Sequence, residues 1–279
     1  MDAQQLVLPT TDGGELAVTR WPGTGPTVVL LHAGVTDRRS WDGVAAALAG
    51  DDLDLVAPDD RGHGDSPHGP SKRYSPLDDL LALLDGLGVE RAVLVGASVG
   101  GAVVLDAAVR HQDRVAGLVL LAPAVTGQTD DDTPFDWEAD RVTTALLARA
   151  DGHLVTDRER VRALAHLWLD GPHAPEARVD GELRDAFSTC MVRLLRTEQP
   201  ARAEPSGAVA WKRLGEVAAP TVTAWGDLDL PCDLHFYEET ARRIGQGPGR
   251  VLPGVAHLIG LERPDLVADL VREVVAAAR

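Results

Sequence analysis

Through the first 125 residues, short unbroken apolar runs alternate with longer stretches in which apolar residues recur every three or four positions. A run without alternation fits a strand covered on both faces, and the three-to-four spacing fits a helix with one buried stripe. The runs Thr27 to Leu31, Leu53 to Ala57, Ala92 to Val95 and Val115 to Leu121 are therefore predicted as buried strands, and Leu16 to Arg20 as an early edge strand. Helices are predicted over Trp41 to Leu48, Ser75 to Leu87 and Gly100 to His111. The second of these has Pro76 in its first turn and Gly88 just past its end, the residues that favour starting and stopping a helix. Strands alternating with helices in this order predict a mostly parallel sheet with crossover helices.

The pattern changes after an acidic break at Gln128 to Asp132, and no strand is predicted again until about Val217. Helices are predicted over Trp137 to Ala150, Arg158 to Leu169 and Glu182 to Arg196, with a short one near Val209 to Leu214. Strand signals then resume at Thr221 to Trp225 and Arg250 to Leu252, separated by a helix over Phe236 to Ile244 and closed by one over Pro264 to Ala278. The expected organisation is an α/β core over residues 1–125 and 217–279, interrupted by a helical insert over 126–216.

Composition removes several functions. The 279 residues carry 27 Lys and Arg against 43 Asp and Glu, a formal charge of −16. Such a chain repels a phosphate backbone, and no clustered basic surface is apparent, so nucleic acid is not an expected partner. No apolar run approaches the roughly 20 residues of a membrane helix, and the N-terminus lacks the features of a secretory signal. No membrane association is expected, and the expected location is the cytoplasm. Two cysteines, Cys190 and Cys232, fall in different predicted elements and suit a reducing compartment. No phosphate-binding loop, dinucleotide fingerprint, HExxH or Cys/His cluster is present, so neither cofactor nor metal is expected.

The sharpest chemical signal is Gly96-Ala97-Ser98-Val99-Gly100-Gly101, placed where a buried strand ends and a helix begins. A serine held on so tight a turn needs small neighbours, and the helix behind it aims N–H groups at a developing oxyanion. The N–H of Val99 is one expected donor. The other should come from the loop after Thr27 to Leu31, where Gly34 is favoured over its neighbour Val35. A serine needs a base, itself oriented by an acid, and in this architecture the chain order is serine, acid, histidine. His257, in the loop after the last strand, is the candidate base. Two aspartates compete after the penultimate strand, with Asp229 favoured over Asp227. Asp60 and Arg61 are expected to tie loops together beside the site by charge-assisted hydrogen bonds.

The segments LLHAG, DDRGHGDS, LLALLDGLGVERAVLVGASVGG, RVAGLVLLAP, TVTAWGDLD and PGVAHLIGLERP together resemble the α/β-hydrolase fold, in its lactonase, esterase, meta-cleavage-product hydrolase and cofactor-free haloperoxidase branch. The resemblance implies a Ser98, Asp229 and His257 triad, with the N–H groups of Gly34 and Val99 as oxyanion hole. It also implies that the helical insert is a cap, mostly self-packed through Trp137, Leu146, Leu147, Leu164, Trp168, Phe187 and Met191, with Trp168 and Met191 lining an apolar pocket. The expected activity is hydrolysis of a small apolar carboxylic ester or lactone through an acyl-enzyme, by a monomer or homodimer. Carbon–carbon hydrolysis of the meta-cleavage type is the alternative, and ligand sensing with an intact triad a third.

Overall fold

The computed structural model describes residues 2–129, 132, 135–136, 138–152, 155–197, 202–204 and 206–279. The elements run β1 (Gln4–Pro9), β2 (Glu15–Trp21), β3 (Thr27–Leu31), α1 (Asp42–Ala47), β4 (Asp54–Pro58), β5 (Arg73–Tyr74), α2 (Pro76–Gly86), β6 (Ala92–Ala97), α3 (Val99–Arg110) and β7 (Val115–Leu121). There follow α4 (Arg141–Asp151), α5 (Asp157–Ala165), α6 (Glu182–Arg196) and β8 (Arg202–Ala203). The chain closes with β9 (Thr221–Gly226), α7 (Pro231–Ile244), β10 (Arg250–Leu252), α8 (Ile259–Glu262) and α9 (Pro264–Ala277).

Eight strands form one sheet in the order β1-β2-β4-β3-β6-β7-β9-β10. From β4 to β10 every pairing is parallel, while β2 runs antiparallel to both β4 and β1. The expected edge strand at Leu16 to Arg20 is thus an interior one, because β1 pairs outside it from Gln4↔Arg20 to Pro9↔Glu15. The segment Gln4–Pro9 is exposed or half-buried throughout, so it carries little of the hydrophobicity that marks the central strands.

Alternation along each strand divides the core between the two faces. Val28 and Leu30 of β3, Val93 and Val95 of β6, and Val119 and Leu121 of β7 pack with α1 and α9. Their neighbours Val29 and Leu31, Leu94, and Leu118 and Leu120 pack with α2 and α3. Both faces are covered, and for that reason the strands read as continuous apolar runs in the sequence. Two helices start where their capping residues dictate: Ser75 accepts from the Asp78 N–H ahead of α2, and Thr156 and Glu159 form a reciprocal capping box at α5.

Among the described residues, the stretch between β7 and β9 adds no strand to the main sheet. It builds its own apolar cluster from Val161, Ala165, Leu169, Phe187 and Met191, which closes onto Ala33 and Leu258 of the sheet's C-terminal edge. The expected helix over Arg158 to Leu169 is α5 continued by a π-helical turn over His166–Asp170. The expected helix near Val209 is two single 3₁₀ turns, Ala210–Lys212 and Leu214–Glu216. The segment is not free of strands, since β8 pairs with β5 at Arg73↔Arg202 and Tyr74↔Ala203. Two residues are too few to produce a strand pattern in a sequence. Trp137 lies outside the described residues.

Candidate active site

Ser98 sits at the hinge between β6 and α3 with φ 52° and ψ −116°, a left-handed conformation that costs a serine about 1–3 kcal/mol. The surrounding backbone holds it there. Its N–H donates to the Leu121 carbonyl at 3.0 Å, and its carbonyl accepts from the N–H groups of Gly101 at 2.8 Å and Ala124 at 2.9 Å. So tight a turn leaves no room beside it: a Cβ on Gly96 would lie 2.5 Å from the Gly100 carbonyl oxygen, and one on Gly100 would lie 2.5 Å from that of Leu31. Val99 opens α3, so its N–H is among the first-turn donors that no helical carbonyl can reach.

The two aspartates that competed in the sequence separate clearly. Asp227 Oδ1 accepts from the Gly254 N–H at 2.7 Å and so caps a turn. Asp229 is buried, and its Oδ2 lies 2.8 Å from His257 Nδ1. The same oxygen accepts from the Tyr237 hydroxyl at 3.1 Å, and Oδ1 accepts from the Leu230 N–H at 2.7 Å. An ionised carboxylate only accepts, so Nδ1 carries the imidazole proton and Nε2 is the basic nitrogen. Burial disfavours the charged ring, but the Asp229 carboxylate, helped by Asp233, outweighs it and holds the His257 pKa above the usual histidine value. Burial also pushes the Tyr237 hydroxyl well above its usual range, so Tyr237 stays a donor at any working pH.

The loop after β3 is fixed through its peptide groups. The Asp60 N–H donates to His32 Nε2 at 3.0 Å, which places the ring proton on Nδ1, and Nδ1 donates to the Ala33 carbonyl at 2.8 Å. That carbonyl also accepts from the Thr36 N–H at 2.9 Å and the Thr36 hydroxyl at 3.0 Å. In a trans peptide the next N–H points opposite the carbonyl, so these three donors aim the Gly34 N–H away from the turn. The Gly34 carbonyl in turn accepts from His63 Nε2 at 3.0 Å. A Cβ on Gly34 would stand 3.4 Å from the Val99 side chain, so the two candidate donor residues are neighbours.

Two cavities flank the turn. One, of about 150 Å³, is lined by Ser98, His257, Trp168, Asp233 and Tyr237 among others. The other, of about 460 Å³ and largely apolar, is lined by Gly34, Val99, Val103, Leu77, Tyr74 and Glu204 among others. The Trp168 ring leans on His257 with centroids 4.6 Å apart. Met191 is 1% exposed inside the Phe187 and Val161 cluster and is among the lining residues of neither cavity.

Sequence reading missed several supports. Arg178 donates to the Leu169 and Asp170 carbonyls, to Gly254 and to the Glu262 carboxylate, while Glu262 accepts from the Ala256 N–H next to His257. This network ties the helical segment to the histidine loop. Tyr237 and Asp233 sit four residues apart on α7, one helical face, and that spacing was the available signal. His235 falls within α7 and is exposed. The loop clamp forms with a shift of one residue: Arg61 is buried and bidentate to both Asp12 and Asp79, but the carboxylate buried beside it in sequence is Asp59, which accepts from the Arg38 and Asp65 N–H groups and pairs with the Arg38 guanidinium. The Asp60 residue instead meets the site through its N–H to His32 and lines the larger cavity.

A mostly parallel eight-stranded sheet with a serine on the β6–α3 hinge and a buried aspartate–histidine pair at its C-terminal edge has the architecture of the α/β-hydrolase fold, and a family model of the alpha/beta hydrolase fold matches residues 26–264. The chain belongs to that family. Among curated relatives it is 36% identical over 173 residues to Lipase LipV of Mycobacterium tuberculosis, covering 61% of this chain and 62% of that one. Among solved structures it is similar to a thermophilic esterase from Thermogutta terrifontis, at TM-score 0.70 and 25% identity over 99% of both chains. It is also similar to Est816, described as an N-acyl homoserine lactone degrading enzyme, at TM-score 0.72 and 26% identity over 96% of this chain and 99% of that one.

Proposed function

We propose that this chain is a serine hydrolase that cleaves a carboxylic ester or lactone through an acyl-enzyme. The observation that carries the reading is the 2.8 Å contact between buried Asp229 and His257, in a cavity that Ser98 also lines from a strained turn. Strain of this kind persists only where the surrounding structure imposes it, and it presents the hydroxyl at the surface of the turn. The lipase and esterase relatives support hydrolysis of an ester, and the likeness to Est816 supports a lactone.

In this reading Ser98 Oγ attacks the substrate carbonyl carbon while His257 Nε2 takes the hydroxyl proton, and Asp229 holds the ring and stabilises the imidazolium. The N–H groups of Gly34 and Val99 receive the carbonyl oxygen as it gains charge. Collapse of the adduct breaks the carbonyl carbon–alkoxy oxygen bond, and the leaving oxygen takes the proton from Nε2. With a lactone that oxygen stays tethered to the acyl group. Water then attacks the acyl-enzyme with His257 again as base, releasing the acid and restoring Ser98. The helical segment over 126–216 acts as a cap, with Trp168 as its contact with the catalytic histidine.

Steady-state hydrolysis of p-nitrophenyl esters and aliphatic lactones, wild type beside Ser98→Ala and His257→Ala, tests this. Turnover that is lost in both variants supports the triad; turnover retained by folded Ser98→Ala refutes it.

A further inference from the structure

The hydrolase reading gives one group in the smaller cavity a share in raising the His257 pKa but no contact with substrate. Asp233, in the first turn of α7, lines the cavity with Ser98, His257 and Trp168. A carboxylate at that place in a helix offsets the helix dipole, which accounts for its presence on the helix but not for its facing the cavity. Its hydrogen-bond partners are modest ones for an anion. Oδ1 meets the Cys232 thiol at 3.6 Å, and the one proton of the Tyr237 hydroxyl on the same face is shared with Asp229. The nearby histidine, His257, is hydrogen-bonded to Asp229 and acts on Asp233 only through its charge.

Catalytic geometry decides what meets it. The leaving oxygen must reach His257 Nε2 to collect its proton, so the alcohol half of an ester lies on the His257 side, in the cavity of about 150 Å³. We assign the acyl half to the other side of Gly34 and Val99, where the cavity of about 460 Å³ offers Leu77, Val99 and Val103, with Asp60, Asp106 and Glu204 also in its lining. We propose that Asp233 is a specificity-determining residue that selects esters whose alcohol half carries a cationic or hydrogen-bond-donating group and rejects those whose alcohol half is anionic. This rests on the hydrolase reading and adds to it a substrate class: an apolar acyl chain on a small, polar or cationic alcohol.

The groups facing Asp233 are Cys232 and Tyr237 of α7, Asp229 of the preceding turn, and His257 from the loop after β10. Burial, with the neighbouring Asp229 charge, pushes the Asp233 pKa up to about 6, and His257 pulls the other way. The carboxylate is therefore ionised at pH 8 and largely neutral at pH 5.

The test compares hexanoate esters of three alcohols of similar shape: choline, 3,3-dimethylbutanol and 2-hydroxyethanesulfonate, which keeps its charge at every pH used. At pH 8 each unit of charge is expected to change kcat/KM on the order of tenfold, so choline exceeds the neutral ester and the sulfonate falls below it. Ratios are read because His257 protonation cancels between substrates. In Asp233→Asn the choline-to-neutral and neutral-to-sulfonate ratios fall to about twofold. In wild type the same ratios shrink as pH drops through about 6, an arm that needs no variant. Ratios that persist in folded Asp233→Asn would overturn the proposal and assign the preference to the overall acidity of the chain. Wild-type ratios near one at pH 8 would overturn it as well. Absence of turnover on the neutral ester would instead bring down the hydrolase reading, and the proposal with it.

Discussion

Asp229→Asn is the perturbation that probes the proposed triad most directly. The carboxylate is buried, 2.8 Å from His257 Nδ1, and holds two further donors. As Ser98 attacks, His257 passes from neutral to charged, so the carboxylate contributes only once the transition state begins to form. Two unit charges about 4 Å apart interact by about 4 kcal/mol at an effective dielectric of 20, which is close to three decades of rate. An asparagine removes this term. Its amide can also donate to Nδ1 and so favour the tautomer with the proton on Nε2, where the ring can no longer act as base. The expected loss in kcat with p-nitrophenyl butyrate at pH 8 is on the order of 10³-fold. Thermal melting followed by circular dichroism establishes that the variant is folded. Asp227→Asn, whose amide oxygen still accepts from the Gly254 N–H, should lose less than about threefold. A loss below about tenfold in folded Asp229→Asn, or a larger loss in Asp227→Asn, would refute the assignment of the acid.

Three further outcomes are expected. His257 has a raised folded pKa, so its pairing with Asp229 stabilises the fold fully below the unfolded histidine value and is lost as pH rises through the folded one; the difference in melting temperature between wild type and His257→Gln should be larger at pH 6 than at pH 9. Arg61→Ala strips a buried guanidinium from Asp12 and Asp79, a change worth about 3–5 kcal/mol in urea unfolding. Because burial already raises the Asp79 pKa, the abandoned carboxylate penalises the fold most when ionised, and the loss should be smaller at pH 4 than at pH 7. Gly100→Ala would set a Cβ 2.5 Å from the Leu31 carbonyl oxygen; strain on the order of 1–3 kcal/mol should appear as a lowered melting temperature, with kcat reduced because α3 and the Gly34 loop are pushed apart.

Much of this protein is written in local patterns. The central strands could be read because both of their faces are covered, which leaves runs such as Thr27–Leu31 and Val115–Leu121 without a polar residue after the first. Ser98 could be read because a strained turn between a strand and a helix demands small residues at fixed offsets, and His257 because chain order limited the choice. Where local hydrophobicity is weak, the sequence was silent: the exposed β1 and the two-residue β5 and β8 exist only because a partner strand supplies their hydrogen bonds. Choices between near neighbours also needed the fold. Asp227 and Asp229 differ by two positions and no chemistry, and only the approach of the loop after β10 gives one a turn N–H and the other an imidazole. Asp59 and Asp60 divide their roles in the same way, by which one β4 directs toward Arg38. Asp233 and Tyr237 acquire meaning only when α7 lays one face against Asp229 and His257. Residue type and spacing determined what chemistry this chain holds; the packing of distant segments decided which residues meet, because a charge or a hydrogen bond acts over ångströms of space and not over positions in a sequence.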